Sequence, residues 1–300
     1  ISVSGCSFRE FTPYSPSDIS GTCEISVTNS TFNRVSAQVG AHAKLSNCYI
    51  HSVGIYNANS TEFTTCAINK IDGMYGKSVP TFHNCQIYGL PTDGSASINE
   101  GDKSVLRLNN SIIDLSFQGD NEHGSWGFDF RDSVIISRTK FSLIAKYFTD
   151  EKSVFHNVEF NNVCLEAGAS NHDMKFYDCQ FLLKDPLEMH EMLAGWGGGK
   201  EVGVPAKVYL QNCYFQGSLY TSAAVTMVDC VLDGVSQPTL YGSKGISING
   251  LKSSLPHGID WEYVDTPSAG FKVKFNNVHV SKNIGEDLGV FGGPSMTNVE

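Results

Sequence analysis

Apolar and polar residues alternate along most of this 300-residue chain, and at intervals the alternation slips by one position. In KFYDCQF (175–181), LQNCYF (210–215), FHNCQI (82–87) and LSNCYI (45–50) the shared order is apolar, any, Asn or Asp, small, any, apolar. Alternation of period two marks a strand with one buried face. A slip across the Asn or Asp is what a bend produces, because these residues tolerate the left-handed conformation that turns the chain while keeping the apolar row inward. Each unit is therefore predicted to be strand, sharp turn, strand, with the remaining residues forming a third side.

The units centre on Gly5, Asn29, Asn47, Thr65, Asn84, Asn110, Asp132, Asn157, Asp178, Asn212, Asp229, Gly250 and Asn277, which makes thirteen, spaced 17 to 34 residues apart. Phe128, Phe130, Asp132, Ser133 and Ile135 fit the pattern, as do Val225, Met227, Asp229, Cys230 and Leu232. Units that bury their apolar face only by stacking form a solenoid. The predicted fold is all-β: a right-handed single-stranded parallel β-helix of about thirteen coils with loop insertions. A leucine-rich repeat has a similar period, but its apolar residue stands three before the Asn rather than two, and its period does not wander. The expected organisation is one β-helix domain over 1–300. Because the chain opens on Ile1 inside a repeat, it is expected to be a piece of a longer protein.

Composition sharpens this picture. Charged residues are only 17% of the chain, which suits short strands and turns. The net charge of −10 argues against a nucleic-acid partner, which needs clustered Lys and Arg. No apolar run approaches the ~18 residues of a membrane span. Of nine cysteines, Cys6, Cys48, Cys66, Cys85, Cys179, Cys213 and Cys230 share the first inward position after the bend, where other units carry Ser30, Ser111, Ser133 or Val158. They are predicted to be a stacked ladder of buried thiols. C-x-x-C pairs are absent, so no metal or redox site is expected, and disulfides between neighbouring coils would strain the stacking. An odd number of mostly buried cysteines points to folding in a reducing cytoplasm.

This repeat resembles the right-handed parallel β-helix superfamily of pectate-lyase-like enzymes and bacteriophage tailspikes, over nearly the whole chain. The resemblance implies a homotrimer that folds in bacterial cytoplasm, keeps its thiols free and acts from the virion tail at the host cell surface, secretion being the alternative. Its implied partner is a bacterial surface polysaccharide; the chain's own residues lead to the expectation of no cofactor, no metal and no membrane insertion. No one member's catalytic motif lies on these positions, so site residues are read from the chain itself.

Outward positions stand one and three before each bend. They are mostly Ser and Thr on the early coils, then Arg107 and Asn109, Asp129 and Arg131, Val154 and His156, Lys175 and Tyr177, Tyr209 and Gln211. Each tryptophan lies in an acid-rich segment: DNEHGSWGFD around Trp126, EMHEMLAGWGGGKE around Trp196 and HGIDWEYVD around Trp261. Exposed aromatics stack on sugar rings while acids, amides and arginines take the hydroxyls, so Trp126, Trp196, Trp261, Arg107, Lys175 and Tyr209 are the candidate glycan-binding residues. For glycoside hydrolysis, two carboxylates must stand about 5 Å or about 6.5–9.5 Å apart. Asp129 with Glu122 is the candidate pair, with Asp120 in reserve. For β-elimination from a uronate, Arg131, His156 and Tyr177 in one column would serve as clamp, base and acid. GWGGGK lacks the phosphate-loop spacing, and His190-Glu191-Met192 lacks the second histidine of a zinc motif. The expected function is depolymerisation of a surface polysaccharide, with hydrolysis ahead of elimination. A non-catalytic glycan-binding or structural β-helix is the alternative from another class.

Overall fold

Every described bend residue takes the left-handed conformation, with φ from 47° at Asn110 to 68° at Gly5. The computed structural model describes residues 1–13, 24–38, 42–58, 60–90, 104–116, 122–123, 127–145, 153–167, 174–182, 193–195, 207–216, 220–221, 224–233, 239–241, 246–249, 252–253, 262–264, 273–276 and 295–297. The expected bends at Gly250 and Asn277 fall outside that set. The burial pattern steps across each bend as the alternation predicts: Phe63, Cys66 and Ile68 are buried while Thr65 is exposed.

Among the described residues all strand pairings are parallel, and the chain is an all-β parallel β-helix. It divides into two compact units, Ile1–Glu151 and Lys152–Glu300. In the first, one ladder climbs through Ser2–Ser4, Glu24–Thr28, His42–Ser46, Glu62–Thr64, Thr81–His83, Val105–Asn109 and the start of Gly127–Ala145. A second ladder, after the bends, climbs through Ser7–Phe11, Thr31–Ala37, Tyr49–Tyr56, Ala67–Tyr75, Gln86–Ile87, Ile112–Asp114 and the middle of Gly127–Ala145. The second unit repeats both ladders from Ser153–Ala167 onward. A third side is seen in both units: Glu122–His123 beside Ser142 and Leu143 in the first, and Tyr220–Thr221, Thr239–Tyr241 and Glu262–Val264 in the second.

The count of thirteen coils is corrected to about six turns, the run of parallel steps that one unit makes. Counting motifs assumes that each bend stacks on the one before it, whereas stacking is followed here within each unit. One further step escaped the motif count altogether: Ser295–Thr297 pairs with Lys274–Asn276.

The interior is built of like on like. Phe63 stacks on Phe82 at 4.7 Å, Phe155 on Phe176 at 4.6 Å, and Phe160, Phe181 and Phe215 form a column at 5.1 and 4.7 Å. Parallel in-register coils place equivalent side chains about 4.8 Å apart, which is the offset-stacking distance of aromatic rings.

The thiol ladder is present, with one correction. Cys48, Cys66, Cys85, Cys179, Cys213 and Cys230 are buried and free, but Cys6 is exposed. The ladder also does more than fill space. Each sulfhydryl reaches the carbonyl two residues back and the matching carbonyl of the preceding coil, as Cys66 Sγ does with Thr64 O and Leu45 O, both at 3.4 Å. Ser111 does the same with Asn109 O at 2.9 Å and Phe82 O at 3.1 Å. A small side chain fits this place; Cys and Ser interchange there because both also supply a donor, whereas Val158 fills it without one.

The Cys66 contact pushes the Cys48 thiol well up, and burial adds to it. For Cys66 the Cys48 contact pulls down while Cys85 and burial push up, leaving it at about 11. Because the six inner thiols are buried and Cys6 is exposed, the folded protein is expected to react with a thiol reagent at Cys6, while the six label only after unfolding. Mass mapping of the labelled peptides checks this.

Thr65 is the one described bend residue that is β-branched, at φ 54°. It is exposed, and its neighbours along the bend column are Asn47 and Asn84. Thr65→Asn is therefore expected to stabilise the protein by about 1 kcal/mol, because Asn tolerates this conformation and threonine does not. A urea titration with unchanged slope would check it; no gain would mean that the corner is unstrained.

Candidate functional site

The outer face of the first ladder carries the charged stripe, and register explains who meets whom. Strands expose alternate residues, and parallel partners stand in columns. In the first unit Arg107 is the partner of Asp129, and Asn109 of Arg131. The Asp129 carboxylate sits between two guanidiniums: Oδ1 is 3.1 Å from Arg131 Nε and Oδ2 is 3.7 Å from Arg107 Nε, with the side chain 27% exposed. Both oxygens are thus engaged. Such half-exposed pairs contribute at most about 1 kcal/mol each, so the arrangement orients the carboxylate more than it stabilises the fold.

In the second unit His156 is the partner of Tyr177, Lys175 of Tyr209, and Tyr177 of Gln211. The His156 and Tyr177 rings stack at 4.6 Å, 9° from parallel. Tyr177 and Tyr209 meet at 5.7 Å, tilted by 50°, and Tyr209 Oη donates to Gln211 Oε1 at 3.1 Å. Rings stacked along a ladder spend their faces on each other and turn their edges outward. The imidazole nitrogens and phenol hydroxyl are therefore what a ligand meets, so this row can exchange protons and hydrogen bonds with a substrate but offers little flat surface for a sugar to stack on.

Not every expected group is brought together. Glu122 pairs through its backbone with Ser142, whereas Asp129 pairs with Arg107, so the two candidate acids lie on different ladders. The Glu122 side chain, Asp120, Trp126, Trp196 and Trp261 lie outside the described residues. Arg131 belongs to the first unit, and the column as described for the second begins at His156.

The early coils depart from the plain Ser and Thr face expected of them. Glu24, His42, Lys44 and Glu62 stand there, with Lys44 Nζ 2.5 Å from Glu24 Oε1. The signal was present in the register, since Lys44 and Glu62 sit three before their bends. Among the described residues no group of three His, Cys, Asp or Glu could hold a metal ion, and no helix is long and apolar enough to cross a membrane.

Compared with known proteins, the chain matches no family model, no curated protein and no solved structure.

Proposed function

We propose that this chain is the β-helix of a tailspike-like depolymerase, of the superfamily its repeat resembles, which binds an acidic bacterial surface polysaccharide and cleaves it by β-elimination. The observation that carries this reading is the His156–Tyr177 stack with Lys175 on the adjacent position of the same face. Elimination from a uronate needs a base for the proton next to the carboxylate, an acid for the departing glycosidic oxygen, and a cation for the carboxylate. His156, Tyr177 and Lys175 are groups of those three kinds on neighbouring coils. Gln211 and Tyr209 extend the row with hydrogen-bonding edges for sugar hydroxyls, and Arg107 and Arg131 would favour an anionic chain in the first unit.

Hydrolysis, placed first on sequence grounds, has less support because it requires two facing carboxylates. Asp129 is held by its arginines, and Glu122 is on another ladder. The trimer, the virion tail and the host-surface setting belong to the same proposal and follow from the resemblance.

The test is release of reducing ends from a panel of bacterial capsular and O-antigen polysaccharides, with the ultraviolet absorbance of unsaturated uronates followed in parallel. Ends with absorbance support elimination. Ends without it support hydrolysis and direct attention to Asp129. Binding without release supports a glycan-binding or structural β-helix.

A further inference from the structure

On the early coils of the first unit, three groups of unlike chemistry line up along the stack. Glu24 and His42 are partners in register. On the next coil Ser60 Oγ makes a short hydrogen bond with His42 Nδ1. His42 thus lies between an acid and a hydroxyl, and Lys44, two residues on and on the same face, grips the acid at 2.5 Å. His42 and Ser60 are both half-buried, while Glu24 and Lys44 are open to solvent.

We infer that Ser60, His42 and Glu24 form an acyl-transfer site that removes ester-linked acyl groups from alcohols, with acylated sugar hydroxyls as the substrate class. A serine hydroxyl is a weak nucleophile until an adjacent base takes its proton, and the Ser60–His42 bond is that contact already made. In the first step the Ser60 Oγ–carbon bond forms as the proton passes to His42, and the ester C–O bond breaks as His42 returns that proton to the departing alcohol. In the second, water attacks the acyl-serine, His42 takes its proton, and the carboxylic acid leaves as Ser60 regains a proton. No oxidant, reductant or metal is needed. The Lys44 ammonium places positive charge on the patch where a carbonyl oxygen would become negative. Glu24 is a positioning residue: the hydrogen bond and charge of Lys44, with smaller pulls from the Ile1 amino group and His42, hold its carboxyl below the usual carboxylate range, so it stands in register with His42 as an anion.

The sugar is named on the strength of the function proposed above, whereas the ester chemistry stands without it. The test is treatment of the full chain with a fluorophosphonate probe and with p-nitrophenyl acetate, and mass mapping of the labelled serine. Labelling at Ser60, slowed at least about 100-fold by His42→Gln, is the expected result. Slower labelling in Glu24→Gln, partly restored in Glu24→Asp, would support the positioning role. An intact, folded chain that is not labelled at Ser60, or whose labelling ignores His42→Gln, would overturn the inference. Polysaccharide end release, measured on the same samples, reports separately on the glycan reading: acetate release from an O-acetylated polysaccharide by a protein that cuts no backbone would leave the ester site standing alone.

Discussion

Replacing His156 with alanine is expected to lower the release of unsaturated ends by about 10²–10⁴-fold while leaving the melting temperature nearly unchanged. The expectation comes from where the ring stands. It lies on the outer face, stacked on Tyr177, and fills no part of the interior. Losing it removes one aromatic contact of about 0.5–1.5 kcal/mol but deletes the whole proposed base. Tyr177→Phe tests the partner more finely, since the stack remains and only the hydroxyl is lost. If both variants keep full activity, the row is a binding surface and the chemistry lies elsewhere. If His156→Ala raises KM with kcat intact, the ring binds substrate without moving a proton.

Replacing Phe176 with alanine is expected to do the opposite, costing about 3–5 kcal/mol of stability and reducing activity only through the folded fraction. Phe176 is fully buried. It stacks on Phe155 at 4.6 Å and meets Phe160 and Phe181 edge-on at 6.1 and 5.4 Å. Truncation removes all three contacts and leaves a cavity that stacked coils cannot collapse to fill, because their spacing is set by backbone hydrogen bonds. Phe176→Leu should recover more than half of the loss. A guanidinium titration measures both; a cost below about 1 kcal/mol would mean that the coil closes around the gap.

The two replacements mark what could be read from the chain. Phe176 and His156 follow from one rule, alternation on either side of a left-handed residue, and that rule assigned inward and outward positions correctly at Phe63, Cys66, Ile68, Phe176 and Cys179. Such a rule is local, so a few residues carry it. The number of stacked turns is not local, and counting motifs overshot it. The role of the cysteine position was half legible: size and burial were evident, while the donor to the preceding coil's carbonyl appears only once two coils are in register. Register also brings Arg107 onto Asp129 and Ser60 onto His42, across 22 and 18 residues of chain, while Arg131 reaches Asp129 along its own strand. The third side was illegible because its strands, such as Tyr220–Thr221 and Thr239–Tyr241, are two or three residues long and too short to show a period.

The small side chains after the bends give the stack a direction. The amides of Cys6, Cys85 and Ser111 donate to the hydroxyls of Ser30, Ser111 and Ser133 on the following coil. The thiols and hydroxyls answer backward, from Cys48 to Val27 O, from Cys85 to Phe63 O and from Cys213 to Phe176 O. Every coil is thus both a template for the next and a lid on the last, and the two faces of any coil are chemically different. A coil added on the later side finds waiting amides and carbonyls; one added on the earlier side finds waiting thiols and hydroxyls. Growth from the two ends is therefore not equivalent, and a break between coils would leave backbone amides and carbonyls unpaired on one surface and side-chain thiols and hydroxyls unpaired on the other, a mismatch that only a coil in the correct order and orientation can repair.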